Sequence, residues 1–394
     1  MKQIWQKFVA FLHKPFFSDN RTLFGLYLLL PVVVALLKTH KYNNYLIFKY
    51  VFWHTIDQTS LYAPSSEYAD TNHYGPFFSL VIAPFALLPT WIGLLFWTVA
   101  LSLAIYYAIR KLPLEQKKLI FIYWFCAHEL LTALFMSQFN VAIVAIVVAT
   151  FYCIQKEKDI WAALFIVLGT FVKLYGIVGL AFFFFSKHKI RLVVALCLWS
   201  VVMFVAPMLI SSPDYIITQY GEWFNSLSGK NVDNMFASHQ NISLLGMIRK
   251  ISGCVTYSDL WIIVSGLVLF GLPYLRISQY KNVAFRYMIL ASTLLFVVLF
   301  STGSESSSYI IAFVGVAIWY VAVPWKRTRW DIALMVFAFI LTSMSPSDLF
   351  PAFIRKVWVQ PYALKALPCV VIWLKLTYEL CFKDYEPQQK SICA

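Results

Sequence analysis

Apolar runs of helix length recur along this chain from about Thr22 to Leu380, and they constrain its fold more than any other feature. In a bilayer every backbone polar group must be satisfied internally, which leaves helices or a closed barrel. Barrel strands alternate apolar and polar residues, whereas these runs are continuous, so they predict helices. Only 13% of the 394 residues are charged and 61% are hydrophobic. A soluble domain has roughly 25% charged residues, so this chain lacks the polar side chains to cover a water-facing surface. The expected fold is an all-α, polytopic membrane protein forming a single integral-membrane domain over 1–394.

The runs place about twelve spans near 22–39, 90–109, 119–136, 137–154, 160–172, 174–186, 190–210, 259–276, 286–301, 307–325, 330–345 and 363–380. The stretch 77–109, with Pro84 and Pro89 inside it, reads as a re-entrant or interfacial half-helix over 77–88 followed by one crossing. The stretch 160–186, with Lys173 at its middle, reads as a tight hairpin of two short spans. With the N-terminus inside, 21 of the 32 basic residues fall in one set of loops, among them Arg110, Lys187, Arg276, Arg286, Arg327 and Lys383. The longer loops of the opposite face hold far fewer, so the positive-inside rule puts both termini in the cytoplasm of a bacterial inner membrane. This leaves 1–21 as a cytoplasmic amphipathic N-terminus without a cleavable signal, and 381–394 as a cytoplasmic tail. Two large loops, 40–76 and 211–258, then face outside.

The net charge of +14 marks those cytoplasmic loops and does not call for a nucleic-acid partner. The seven cysteines are scattered without a CxxC pair, mostly inside apolar runs, which disfavours a metal or disulfide framework. No cofactor is expected. Asp57, Glu67 and Asp70 could supply oxygens to a divalent metal, but their spacing is no recognised metal motif.

The polar residues that break the apolar pattern cluster on the outside face. The segment Asn43 to Trp53 is aromatic and amphipathic, an interfacial helix that ends near His54 and Asp57. Asp57 serves either as a helix-end acid or as a reactive carboxylate, with Glu67, Asp70 and His73 following closely. Gln138 and Asn140 sit at a hairpin apex, where turn chemistry alone would also place them. Lys173 lies in an apolar stretch, so it needs water, an anion or a partner, or snorkels to the interface. The run His239 to Ser243 precedes Leu244, with Arg249 and Lys250 one turn on. That arrangement suits a helix N-terminus facing a phosphate, and a plain Asn/Ser cap equally well. Glu305, in the turn TGSESSSY that ends at Tyr309, is a carboxylate at a membrane edge and points to a polar cavity. His128 and Glu129 fall inside a span and read as a buried structural pair.

In this order the motifs resemble glycosyltransferase family 87, whose members are GT-C-type transferases dependent on polyprenyl-phosphate sugars. The family's aspartate after the first span resembles Asp57, its following tyrosine Tyr62, and its Tyr-Pro-Pro resembles Tyr74-Gly75-Pro76. Gln138 and Asn140 are similar to its Gln-x-Asn, Gly169 and Lys173 to its Gly…Lys hairpin, and Asn241-Ile242-Ser243-Leu244 to its Asn-x-Ser-Leu element. Two departures stand out: the first proline is Gly75, and the late serine-rich turn lacks the histidine of many relatives.

The resemblance implies a GT-C fold and an inverting transferase acting outside the cytoplasm. Its expected partners are a polyprenyl-phosphate-sugar donor, a lipid-linked or glycan acceptor and membrane lipids. Asp57 is then the expected general base, Lys173 and Arg249 the phosphate ligands, and Tyr62, Tyr74 and Trp53 the frame for sugar or lipid. His54, Gln138, Asn140, Asn241, Glu305 and Tyr309 complete the expected substrate site. A flippase for lipid-linked sugars would instead show inverted repeats and midplane charges. An O-antigen polymerase or ligase would carry more late arginines and histidines on the outside.

Overall fold

The computed structural model describes residues 14–38, 42–234, 237, 239–254, 256 and 258–386. The basic stretch 1–13 and the end of the tail, 387–394, lie outside the described residues. Among the described residues the fold is all-helical, without strands. Fifteen helices matter for the site. They are α1 (Asn20–Leu37), α2 (Asn43–Asp57), α3 (Phe78–Ala86), α4 (Thr90–Arg110), α5 (Gln116–Phe135), α6 (Asn140–Gln155), α7 (Asp159–Lys173) and α8 (Lys189–Val205). They continue with α9 (Pro213–Asp233), α10 (Leu244–Ser252), α11 (Leu260–Gly271), α12 (Val283–Leu299), α13 (Tyr309–Val321), α14 (Arg329–Phe337) and α15 (Leu367–Phe382).

Among the described residues, four helical segments are long and apolar enough to cross a membrane by themselves: α1, α4, α5 and the run Lys189–Leu209. The chain over Ala352–Val359 and Leu364–Phe382 passes as a fifth, bent by 96°. Five further helices are apolar but shorter than a full span, among them α6, α12 and Tyr175–Phe185. The spans expected from sequence are therefore of mixed length in the structure. Several helices are short because polar turns cut them at the level of the site.

The centre is the α12–α13 hairpin, buried along most of its length through Met288, Leu294, Phe313 and Trp319. At α13's start, Glu305 and Ser308 form a capping box that stops the serine-rich turn from fraying. At the opposite end, charges are tied to protein acceptors: Arg286 donates to Gln155 at 2.7 Å, and Arg327 pairs with the buried Glu379 at 3.0 Å.

The 160–186 stretch is a tight hairpin. Helix α7 ends at Lys173, Leu174 turns the chain with φ of 51°, and Tyr175–Phe185 runs back as a 3₁₀-helix. Fifteen α-helical residues span roughly 22 Å. Eleven 3₁₀ residues, rising about 2.0 Å each, cover the same distance. The unusual winding thus lets the shorter arm match the longer one. Gly169 and Gly176 face each other where the arms meet, and a Cβ on Gly169 would lie 2.7 Å from the Gly176 Cα.

The stretch 211–258, read from sequence as a loop, contains two helices. Ser212 caps α9 through the Tyr215 N–H (3.4 Å), with Pro213 and Asp214 in its first turn. Ser243 caps α10 through the Gly246 N–H. Gly176→Val is expected to force the hairpin arms apart and destabilise the protein by about 2 kcal/mol or more. Thermal unfolding in detergent should show a lowered midpoint, and an unchanged midpoint would mean the arms do not meet this closely.

Candidate active site

The ends of α6, α7, α12 and α13 meet the 60–75 loop and α9 at one end of the bundle. They enclose a cavity of about 450 Å³ lined by Asn44, Phe48, Asp70, His73, Tyr74, Gln138, Lys173, Tyr175, Lys230 and Glu305, among others. A more open groove of about 620 Å³ shares Asp70, Thr71, His73, Lys230 and Asn234 with it, and extends past Ser60, Tyr62 and Glu222.

A chain of hydrogen bonds crosses the cavity floor. Lys173 Nζ donates to Asn140 Oδ1 (2.6 Å), Asn140 Nδ2 to Gln138 Oε1 (2.8 Å), and Gln138 Nε2 to Glu305 Oε2 (2.6 Å). Ser307 Oγ also donates to Gln138 Oε1 at 3.0 Å. The lysine ammonium stands over the rings of Tyr74 and Tyr175, at 5.5 and 5.2 Å from their centroids. Both contacts favour a cation and hold it at the cavity wall.

Tyr74 is buried and stacked on Phe78. The Tyr-Gly-Pro departure has a structural reason here. The Gly75 N–H donates to the Val172 carbonyl at 3.1 Å, and a Cβ at 75 would overlap the Phe171 carbonyl. Proline has no N–H to give and brings a ring where no space remains. This contact ties the first loop to the α7 end that carries Lys173.

Helix α9 straps the same loop from outside. Gln219 accepts from the Leu61 N–H (2.8 Å), Glu222 from Ser60 (2.8 Å), and Trp223 donates to the His73 carbonyl (3.0 Å). Ser226 Oγ lies 2.9 Å from His73 Nδ1. Burial, with Lys230 nearby, pushes the His73 pKa down to about 4, so the ring is neutral at pH 7. Lys230, near the end of α9, is carried over the cavity by these contacts.

The residues expected from sequence divide into two groups. Lys173, Gln138, Asn140, Glu305 and Tyr74 come together in the cavity, and Tyr62 lines the groove, donating from its hydroxyl to the Tyr74 carbonyl at 2.9 Å. Asp57 does not join them. It is exposed at the end of α2, in a separate recess of about 350 Å³ with His54 and Glu67. His54, whose pKa burial lowers, lies 4.0 Å from Glu67. Arg249 is buried and paired with Asp259 at 2.7 Å, so its charge is already matched inside the protein. Asn241, with φ of 50°, accepts from Ser243 at 2.8 Å and shapes the turn into α10. Tyr309 donates to the Ile242 carbonyl at 2.9 Å and pins that turn to α13. Glu129 pairs with Lys365 at 2.8 Å, and His128 contacts Ser343.

Among the described residues no three His, Cys, Asp or Glu side chains are grouped to hold a metal ion. The three acids considered from sequence are split, Asp57 and Glu67 in one recess and Asp70 in another.

Lys230 is a cavity residue that the sequence reading left without a role, while Asp70 enters there as a possible metal ligand and His73 as a neighbour of Asp57. The apolar spacing of Trp223, Phe224 and Leu227 on α9 was the available signal for Lys230.

The sequence profile of glycosyltransferase family 87 matches residues 72–302, more than half of the chain. No curated protein matches it. The matched stretch contains His73, Tyr74, Gln138, Asn140, Lys173 and Lys230, whereas Asp57, Asp70 and Glu305 lie outside it.

The neutral His73 gives a pH signature. The unfolded chain takes up this proton near pH 6.5 and the folded protein only near 4. Between these values the unfolded state binds more protons, so this contribution is complete above 6.5 and is lost as pH falls towards 4. His73→Gln should remove that part of the pH dependence of thermal stability, and an unaltered slope in the variant would contradict the assignment.

Proposed function

The chain belongs to glycosyltransferase family 87, and on that premise we propose that it moves a sugar from a polyprenyl-phosphate donor to a hydroxyl of a lipid-linked or cell-envelope glycan. It is a membrane glycosyltransferase, and the finer reading rests on the cavity. One observation carries it: two lysines, Lys173 and Lys230, and two carboxylates, Asp70 and Glu305, face one space walled by Phe48, Tyr74 and Tyr175. Such a space suits a ligand with one phosphate and a sugar. Its apolar rim supports a lipid carrier, since the lining residues Leu174 and Phe224 are 43% and 72% exposed. A lipid tail can leave between them into the bilayer.

In this reading Lys173 and Lys230 hold the donor phosphate and stabilise the charge that grows on it as the glycosidic C–O bond breaks. A phosphate monoester leaves without a protonating acid, so one base suffices. We assign that base to Asp70 in place of Asp57. Asp70 lines both the cavity and the open groove, and among the described residues its carboxylate accepts only from the neighbouring Thr71 N–H (2.8 Å). A free lone pair there can take the proton of an acceptor hydroxyl while its oxygen attacks the anomeric carbon, with inversion. Glu305 is engaged by Gln138 and by its own capping box, which suits a positioning role. The site lies at the opposite end of the bundle from Arg286 and Arg327. This supports an extracytoplasmic site under the positive-inside rule, in a bacterial inner membrane with both termini cytoplasmic.

Purified protein incubated with candidate polyprenyl-phosphate sugars and membrane lipids, with products identified by mass spectrometry, tests the reading. Asp70→Asn is expected to lower transfer by 10²–10⁴-fold, and Lys173→Gln by about 10²-fold or more. Asp57→Asn should stay close to wild type. Full activity in Asp70→Asn together with loss in Asp57→Asn would return the base to Asp57.

A further inference from the structure

A third cavity, of about 570 Å³, lies behind Glu305, between α5 and the chain over 345–365. The chemistry proposed for the reaction cavity does not use it, yet it adjoins that chemistry on two sides. Glu305 lines both it and the reaction cavity, and Gln240 lines both it and the groove that contains Asp70.

Its lining is polar without a surplus cation. Lys365 is saturated: its ammonium donates to Glu129 (2.8 Å) and to the carbonyl and hydroxyl of Ser306 (both 3.0 Å). Asp348 is matched by Arg355 at 3.1 Å and Glu305 also lines the space, so among the described lining residues no unpaired lysine or arginine is left for a phosphate or carboxylate ligand. Ser345 Oγ and Gln240 Oε1 are buried and have no hydrogen-bond partner among the described residues. Buried groups of this kind call for a partner from a ligand or water. The apolar part of the wall, with Leu131 and Phe135, suits the C–H faces of a sugar ring. Outside this cavity, Leu349, Phe353 and Trp358 are 70%, 71% and 53% exposed on the bent chain before α15. In a membrane protein such a surface meets lipid.

We propose that this third cavity holds the uncharged sugar head of a membrane glycolipid, the acceptor of the transfer, with its lipid tail lying along the 349–358 surface. The proposal rests on the glycosyltransferase reading above and deepens it. Donor and acceptor would then enter past different elements, the donor beside Leu174 and Phe224 and the acceptor beside Phe353 and Trp358. The terminal hydroxyl of the acceptor would reach Asp70 past Glu305 and Gln240.

The test uses the full chain in nanodiscs and two photoreactive probes, an alkyl glucoside and a polyprenyl phosphate, with labelled peptides mapped by mass spectrometry. The alkyl glucoside should label segments 128–136 and 345–363, and a neutral glycolipid should compete while polyprenyl phosphate does not. Thr132→Trp and Gln360→Trp, which fill the cavity from two independent walls, should each reduce that labelling at least tenfold. Labelling by the polyprenyl phosphate near Lys173 in the same variants shows that they are folded. Alkyl-glucoside labelling elsewhere, or equal competition by polyprenyl phosphate, overturns the proposal. Absence of polyprenyl-phosphate labelling near Lys173 in the wild type instead overturns the donor reading on which it rests.

Discussion

A lysine at the end of an apolar helix is the constraint around which this structure is arranged. Lys173 could not stay at the α7 end without partners, because a lone ammonium in an apolar setting costs several kcal/mol. Asn140 supplies the direct contact, Gln138 orients Asn140, and Glu305 closes the chain with a negative charge. The links come from the start of α6, the end of α7 and the turn before α13, so the network fixes the mutual positions of these three helices. A half-satisfied network of this kind would be worse than an apolar core. The close approach of Gly169 to Gly176 and the seat of Gly75 against α7 are the packing conditions that let the network form.

The second layer of organisation comes from α9. It carries no membrane-spanning composition, yet it decides which loop residues face the cavity. Its contacts through Gln219, Glu222, Trp223 and Ser226 clamp the 60–75 loop, and the clamp brings Asp70, His73 and Lys230 together. The result is a cavity with two cations and two carboxylates whose apolar rim opens beside exposed Leu174 and Phe224. A phosphate on a lipid carrier, the donor proposed above, fits those conditions.

What could be read from sequence divides along a physical line. Lys173, Gln138, Asn140 and Glu305 were legible because a polar residue at the edge of an apolar run is costly and must have a reason. The pairing of Arg249 was not legible, because its partner, Asp259, lies ten residues on across a helix end, where spacing does not reveal pairing. Asp57 drew attention through its position after the first span, but the direction of α2 turns it to a separate recess. Lys230 was invisible because 211–258 was judged by apolar content, and an amphipathic helix of low hydropathy does not register on that measure. The lengths of the individual spans were hard to read for a related reason. Length and hydropathy identify full crossings, whereas this chain uses short helices, a long 3₁₀ arm and a chain bent by 96°.

In the proposed reaction the donor phosphate sits between Lys173 and Lys230 in the cavity bounded by Asp70 and Glu305. An experimental structure of the protein with a non-transferable polyprenyl phosphonate sugar tests it most directly. Phosphonate oxygens are expected within hydrogen-bond distance of the Lys173 ammonium, with the sugar beside Asp70 and the lipid leaving past Leu174 and Phe224. A phosphonate bound at the Asp57 recess or beside Arg249, with the Lys173 cavity left to solvent, would contradict it.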